Sequence, residues 1–359
     1  MKSRVAVIGS GFGLYGLLPA FQRIPECSVV GIAGSQTDRL VAYCHQNAIP
    51  CFSDWREMIA RQRPEALAIA VVPTHQPGII LHALERDIAV LAEKPLAVTL
   101  GQATELLARA RAGHLAHMVD FIFPEIPHWK KAKQLLAEGA VGTVVQVTAS
   151  WSFLSYDLRK KLVTWKTDPR QGGGALAFFF SHVFYNLEFF MGTIQSLYCS
   201  LNSSPQSPNQ GETQVNLLVR FANGCSGNFL LNCAAFNGNH HVLSFYGEKG
   251  TLVLENSTPA VSQGWALTRY NEKAEAEAVS VVQLEGDPTM DERVGLVQSI
   301  GRRFIAWCQG ENPARPNFED GCRVQHLIEC SRLSSQQSRV VVVGPNTLAS
   351  LDDQEALRI

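Results

Sequence analysis

A short β-branched run, Arg4-Val-Ala-Val-Ile8, meets Gly9-Ser10-Gly11-Phe12-Gly13, and beyond it Leu14, Leu17, Leu18 and Phe21 recur at helical spacing. Strand, glycine turn and helix start in that order constrain the chain strongly, because they open a βαβ unit and so a parallel sheet. Gly9 permits a tight turn, and Gly11 lets a pyrophosphate approach backbone N–H groups at the helix N-terminus. The third glycine of a G-x-G-x-x-G pattern is displaced: Leu14 stands in its place, with Gly13 one position early. On spacing alone, a plain strand-to-helix turn and a dinucleotide cradle both stay open.

The pattern repeats. A second strand, Ser28 to Ala33, ends in Gly34-Ser35-Gln36-Thr37-Asp38-Arg39. A site for NAD usually places a carboxylate here for the ribose 2′-hydroxyl, whereas a site for NADP offers neutral donors and arginine. Ser35, Thr37 and Arg39 could hold a 2′-phosphate, Asp38 reads as a helix N-cap, and NADP is favoured over NAD. The alternative is a solvated loop. A short strand at Cys51-Phe52 precedes the buried run Pro64 to Val72, after which Pro73, Thr74 and His75 open a helix beside the nicotinamide half of such a site. A lone histidine at a helix start, such as His75, is more often a cap or surface group than a catalyst.

The next apolar run, Ile88 to Ala92, stops abruptly at Glu93-Lys94-Pro95. In a parallel sheet, ligands sit beyond the carboxyl ends of strands, so Lys94 occupies a position where a reacting group is placed. Thr99 to Gly113 reads as a helix and Leu115 to Phe121 as a sixth strand. Phe123-Pro124 and Pro127 mark a change of domain. The expected organisation is a doubly wound Rossmann domain over 1–122 and a substrate-binding and oligomerisation α/β domain over 123–344. A tail over 345–359 carries no signal. The fold class is α/β, with the second domain built on an open, largely antiparallel sheet. Its strands are expected at Thr143 to Trp151, Gln214 to Phe221, Gly227 to Asn232, His241 to Tyr246 and Thr251 to Glu255, with closing helices at Glu292 to Gln309 and Phe318 to Gln336. Ser203 to Gly211 reads as a flexible loop.

A second cluster runs from Trp165 through Gly172-Gly173-Gly174 to Phe178-Phe-Phe-Ser181-His182-Val-Phe-Tyr185. Three glycines allow close backbone approach to another group. His182 and Tyr185 are three apart and share a helix face. A histidine among apolar neighbours stays largely neutral and can accept or pass on a proton. It is equally a core histidine satisfied by a backbone carbonyl, with Tyr185 as packing.

Composition excludes several classes. A net charge of −1 gives no long-range attraction for nucleic acid or an anionic membrane. No apolar run approaches the ~20 residues of a membrane span. The nine cysteines are scattered without a C-x-x-C pair, so neither a zinc ribbon nor a disulfide framework is expected, and they read as reduced residues of a cytoplasmic protein. No metal site is expected.

Taken together, these residues resemble the glucose–fructose oxidoreductase, inositol dehydrogenase and MocA family of NAD(P)-dependent oxidoreductases, over roughly Arg4 to Val343. The matching marks are Gly9-Ser-Gly11-Phe-Gly13, Val72-Pro73, Glu93-Lys94-Pro95, Trp165 before Gly172-Gly-Gly174, His182, Phe245 to Glu255, and Pro316-Asn-Phe-Glu-Asp-Gly321. The resemblance implies hydride transfer between a nicotinamide and a carbinol or carbonyl carbon, often of a sugar or cyclitol. It also implies a dimer or tetramer formed through the open sheet. Lys94 would hydrogen-bond the reacting oxygen and His182 would be the general acid/base. Many members carry aspartate four before this histidine, glycine two before and aspartate three after; here stand Phe178, Phe180 and Tyr185. The implied pocket has lost polar anchors and gained aromatic bulk. Tyr185 could share the proton work, and Phe121, Trp151, Trp165 and Phe178 would line the substrate with His182. Two other readings follow from those losses: reduction of a more apolar conjugated substrate, as in biliverdin reductases, or a cofactor-binding regulator without turnover.

Overall fold

The structure, a computed structural model, describes residues 2–205, 207–236, 238–282 and 287–344. The expected tail over 345–359 lies outside the described residues. The chain divides into two compact units, the first containing residues 2–125 and 287–325, the second 126–282 and 326–344.

The first unit is built on six parallel strands: β1 (Ser3–Ile8), β2 (Cys27–Ala33), β3 (Cys51–Phe52), β4 (Ala66–Ile69), β5 (Ala89–Ala92) and β6 (His117–Val119). Their spatial order is β3-β2-β1-β4-β5-β6, so the direction of winding reverses between β1 and β4. Beyond the carboxyl ends of the strands at that reversal lies the crevice that this topology reserves for a ligand. Each strand is short and wholly or largely apolar because helices cover both faces of such a sheet. Leu14, Leu17, Leu18 and Phe21 are all buried, as their spacing requires.

The expected boundary after residue 122 is corrected in two respects. Phe123–Glu125 stays with the first unit, where the buried Glu125 carboxylate pairs with Arg303. The helix Val294–Cys308 also returns to this unit, burying Val297, Ile300 and Phe304. Phe304 meets Phe21 edge-on at 6.4 Å, and Gly301 lies against Ile24 so closely that a Cβ there would stand 2.8 Å from its side chain. An apolar stripe this wide has to be buried somewhere, and here its partner is the first helix of the chain.

The second unit carries a nine-stranded sheet: β7 (Val144–Ser152), β8 (Ile194–Asn202), β9 (Gln214–Phe221), β10 (Ser226–Asn232), β11 (His240–Gly247), β12 (Gly250–Asn256), β13 (Trp265–Tyr270), β14 (Ala276–Ala278) and β15 (Val341–Val342), in the order β14-β13-β12-β11-β7-β10-β9-β8-β15. β7 and β10 pair in parallel and the other pairs are antiparallel. The helices Pro127–Ala137 and Phe180–Met191 pack on one face, where Trp129 meets Trp265 and Phe190 meets Phe245. The alternation along β9 and β10 leaves Leu218 and Leu230 exposed on the opposite face, which also carries the exposed Tyr246 of β11. No helix of the described residues is long and apolar enough to cross a membrane.

Candidate active site

Gly9 ends β1 at φ +130°, and a Cβ there would stand 2.1 Å from the Ala70 carbonyl oxygen. Only glycine fits where β1 and the end of β4 pass this closely. Gly11 differs: a Cβ there would meet nothing within 4 Å, so its surroundings are open. Its carbonyl accepts the N–H of Leu14 at 2.9 Å and starts the helix, whose first turn, Gly13–Leu17, is π-helical. The displaced third glycine has a structural reason. A Cβ on Gly16 would collide with the Phe12 ring, whereas one on Gly13 would meet Val7 and Ile8 at an ordinary 3.4 Å, so the close packing that needs glycine falls at Gly16. Open space at Gly11 before an exposed helix start fits a dinucleotide pyrophosphate.

At the end of β2 a Cβ on Gly34 would come within 2.9 Å of the Ser10 backbone nitrogen, so the two turns touch. Ser35, Thr37 and Arg39 are exposed here. Asp38 is not the N-cap: Thr37 holds that position, its hydroxyl accepting the Leu40 N–H at 3.2 Å, because Asp38 already has helical position. The Thr37 hydroxyl is thereby engaged, while Arg39 lies 5.7 Å over the Tyr15 ring.

Pro73 is buried, Thr74 and His75 are exposed, and His75 occupies the N-cap of the helix Gln76–Leu84 without a side-chain capping bond. The next residue, Gln76, is 1% exposed. Its side-chain amide donates to the carbonyls of Glu93 at 2.7 Å, Pro95 at 3.0 Å and Leu96 at 3.1 Å. The backbone of Glu93-Lys94-Pro95 is therefore fixed from the side, and its first residue is tied to β4 by the Glu93 N–H bond to Ile69 at 2.8 Å. The Glu93 carboxylate accepts the Lys94 N–H at 3.1 Å.

One position beyond the β5–β6 ladder, Asp120 faces Glu93. It is 1% exposed, and neither of its carboxyl oxygens receives an N–H or hydroxyl donor among the described residues. Burial first, then the Glu93 charge and hydrogen bond, push its pKa well above the ordinary carboxylate range, against the opposing pull of Arg293 and Lys94. Arg293 arrives from the returning segment. Its guanidinium lies 4.4 Å over the Phe12 ring and is held in a fork by Asp291, with both bonds at 2.8 Å. Burial opposes its charge, but Asp291 more than compensates and raises its pKa.

In the second unit, Phe178 lies in the π-helical turn Ala175–Phe179, and His182 and Tyr185 follow on the helix Phe180–Met191. His182 is 8% exposed and Tyr185 half-buried. Trp165 meets Phe178 edge-on at 5.3 Å, and the Lys166 ammonium lies 5.4 Å over the same Phe178 ring. Trp151 stacks flat on His241 at 4.6 Å and touches Phe179 edge-on at 6.0 Å. Gly173 and Gly174 serve the chain's own crossings. A Cβ on Gly173 would stand 2.1 Å from the Trp165 carbonyl oxygen, and Gly174, at φ +81°, seats the Glu212 carboxylate. That carboxylate accepts the Leu176 N–H at 3.3 Å at the start of the helical segment, and burial raises its pKa.

Comparison with known proteins agrees with this architecture. Residues 3–121 match the family described as an oxidoreductase family with an NAD-binding Rossmann fold, and residues 129–253 match the GFO/IDH/MocA C-terminal domain. The chain belongs to the GFO/IDH/MocA oxidoreductases. An uncharacterized oxidoreductase of Synechocystis is 24% identical over 355 residues, covering 94% of this chain and 95% of that protein. A levoglucosan dehydrogenase of Pseudarthrobacter phenanthrenivorans is 23% identical, with 56% of this chain and 58% of that protein covered. An inositol 2-dehydrogenase of Rubrobacter xylanophilus is 32% identical over 39% of this chain and 41% of its own. A solved levoglucosan dehydrogenase in complex with NADH superposes with a TM-score of 0.81 at 20% identity, covering 96% of this chain and all of that one.

In this GFO/IDH/MocA oxidoreductase, Gly9 to Gly13, Ser35, Pro73 to His75, Glu93 and Lys94 come together at the carboxyl ends of β1, β2, β4 and β5. Lys94 belongs to the first unit, and Phe178, His182 and Tyr185 to the second. Phe121, expected against a substrate, is 1% exposed and offers no open ring face. Gln76, Asp120, Arg293 and Glu212 belong to no motif of the sequence. Gln76 had a signal, a lone amide at the start of the apolar segment Pro77-Gly-Ile-Ile-Leu81; the partners of the others are set by tertiary contact. Among the described residues, no group of three His, Cys, Asp or Glu side chains could hold a metal ion.

Proposed function

We propose that this oxidoreductase transfers a hydride between a nicotinamide cofactor and a carbinol or carbonyl carbon of a sugar or cyclitol derivative. The observation that carries this reading is the Glu93-Lys94-Pro95 turn, locked by Gln76 at the carboxyl end of β5 and beside the open cradle at Gly11. The names of the levoglucosan and inositol dehydrogenase relatives support a polyhydroxylated substrate class.

The Gly9–Gly13 backbone, Ser35, Thr37, Arg39, Pro73, Thr74, His75, Glu93 and Lys94 hold the cofactor. When bound, the nicotinamide supplies the hydride acceptor or donor. Lys94 donates a hydrogen bond to the reacting oxygen and stabilises its developing negative charge. His182 takes the hydroxyl proton in oxidation and returns it in reduction, with Tyr185 assisting. Neutral Ser35 and cationic Arg39 at the end of β2, with no carboxylate from Gly34 to Thr37, favour NADP over NAD. The exposed face carrying Leu218, Leu230 and Tyr246 supports association of two or four copies through the sheet.

A second reading has its own observation. Trp165, Phe178 and Phe179 form an aromatic wall ahead of His182, with Phe178 and Phe179 at 4.6 Å. Such a wall suits a less polar, conjugated substrate. The deciding experiment follows NADPH and NADH oxidation against ketosugars, inosose-type ketones and conjugated carbonyls. Turnover of a sugar or cyclitol ketone that is lost in Lys94→Ala, with cofactor affinity retained, supports the proposal. Turnover of conjugated carbonyls alone favours the second reading. Cofactor binding without turnover in wild type and variant alike would overturn both in favour of a regulator.

A further inference from the structure

Two carboxyl groups meet at the carboxyl ends of neighbouring strands. β5 and β6 pair in the register Val90↔His117, Leu91↔Met118 and Ala92↔Val119, and the Asp120 N–H extends the ladder to the Ala92 carbonyl at 2.9 Å. Glu93 and Asp120 are the next residues on each strand. Their side chains leave adjoining strand ends at the same level, and among the described residues neither Asp120 oxygen receives an N–H or hydroxyl donor. Two carboxylates have only acceptors, so a hydrogen bond between them requires a proton. Asp120, at 1% exposure, is the group whose ionised form would be costlier.

The charges around the pair are few. Glu93 and Lys94 face Asp120 from the end of β5, and Arg293 faces it from the returning segment, already forked by Asp291 and close to Tyr15. With Asp120 neutral, Glu93 balances Lys94 and Asp291 balances Arg293. Loss of the proton to solvent would leave a second negative charge beside Glu93 in a buried place, where repulsion between like charges is strong.

We propose that Asp120 is a positioning residue that shares one proton with Glu93, holds the Glu93 carboxylate in place for the dinucleotide, and weakens cofactor binding when that proton is lost as pH rises. This rests on the reading that the first unit binds a nicotinamide dinucleotide with Glu93 in contact. The raised pKa of Asp120 agrees in direction. A purely packing role would not explain the residue, because an aliphatic side chain would fill the space without the desolvation cost of a buried carboxyl.

The test measures NADH affinity of the full chain by fluorescence titration from about pH 6 to about pH 10, where ordinary carboxylates no longer titrate. Wild type should lose about tenfold or more in affinity across the alkaline limb. Asp120→Asn, whose amide donates to Glu93 at every pH, should remove that limb and bind about tenfold more tightly at neutral pH than Asp120→Ala. In the infrared spectrum of wild type at neutral pH, a protonated carboxyl band should be present and absent in Asp120→Asn. An alkaline limb that persists in Asp120→Asn, or a wild-type spectrum without that band, overturns the proposal alone. Failure of wild type to bind NADH or NADPH at neutral pH overturns the cofactor reading and this proposal with it.

Discussion

The buried side chain of Gln76 donates to the backbone carbonyl of Glu93 at 2.7 Å, from the helix that follows β4 to the turn that follows β5. The same amide reaches the carbonyls of Pro95 and Leu96, so one side chain serves three acceptors that helix and sheet leave over. Gln76→Leu fills similar space and abandons those acceptors. It should cost about 1–3 kcal/mol of stability by urea denaturation, in line with orphaned buried carbonyls. It should also lower turnover more than cofactor affinity, because the residue carrying Lys94 loses its support. Full activity in a stable Gln76→Leu protein would show that the turn holds its shape unaided.

Gly9 and Gly11 are two residues apart, and their substitutions should separate folding from cofactor binding. Alanine at Gly9 would place its Cβ 2.1 Å from the Ala70 carbonyl oxygen at φ +130°. Gly9→Ala should therefore destabilise the protein by more than about 2 kcal/mol, or prevent its accumulation. Gly11→Ala meets nothing within 4 Å and keeps an ordinary backbone. It should change the denaturation midpoint by no more than about 1 kcal/mol, yet weaken NADH binding by about tenfold, since its methyl enters the space left for the pyrophosphate. Equal NADH affinity in Gly11→Ala and wild type would move the pyrophosphate elsewhere.

The parallel sheet was legible because its signals are local. Each strand is a short apolar run closed by turn residues, and β3, read as Cys51-Phe52, has those very bounds. The helix Val294–Cys308 was equally legible as a helix, yet its membership was not: its apolar stripe is compatible with any core, and Phe21 and Ile24 lie some 270 positions earlier in the chain. β8 escaped because Ile194 to Asn202 interleaves its buried Leu197 and Cys199 with Gln195, Ser196 and Ser200. At the site, Lys94 and the glycine turn could be read because motif and strand end coincide. Asp120 and Arg293 could not, since an acid after one strand and a base after a loop have no meaning until the strands stand side by side. The glycines at 173 and 174 point the other way: their signal was real, but the group they admit is the chain itself.

Arg39 bears on cofactor choice. Its guanidinium lies over Tyr15, at the edge of the loop after β2, where Ser35 and Gln36 are exposed and the Gln36 amide is already bonded to the Gly34 and Phe52 carbonyls at 2.9 Å. Of these groups, Arg39 is the one with a charge to offer a 2′-phosphate. Arg39→Ala should weaken NADPH binding by about tenfold while NADH affinity shifts by less than about twofold. Parallel losses for the two cofactors, or none, would assign Arg39 to packing on Tyr15.

His241 predicts an acid limit on stability. Its ring stacks at 7° on Trp151 and meets Trp129 and Trp265 edge-on, a cage of three indoles that excludes water. Burial, and secondarily the neighbouring His240, lower its pKa from 6.5 to about 3. The sign follows directly: the unfolded chain takes up a proton as pH falls below 6.5, while the folded chain refuses it until about pH 3. Stability is complete above 6.5 and lost on the way down, by up to about 1.4 kcal/mol per pH unit. His117 in the first unit, lowered to about 4 mainly by burial, acts in the same direction. His241→Phe keeps an aromatic ring on Trp151 and removes one of the two titrations. Its urea midpoint should fall less steeply than that of wild type between about pH 6.5 and about pH 4.5, the gap narrowing as pH drops even if the variant starts lower. Parallel curves would mean that the folded protein accepts a charged imidazole among the three tryptophans.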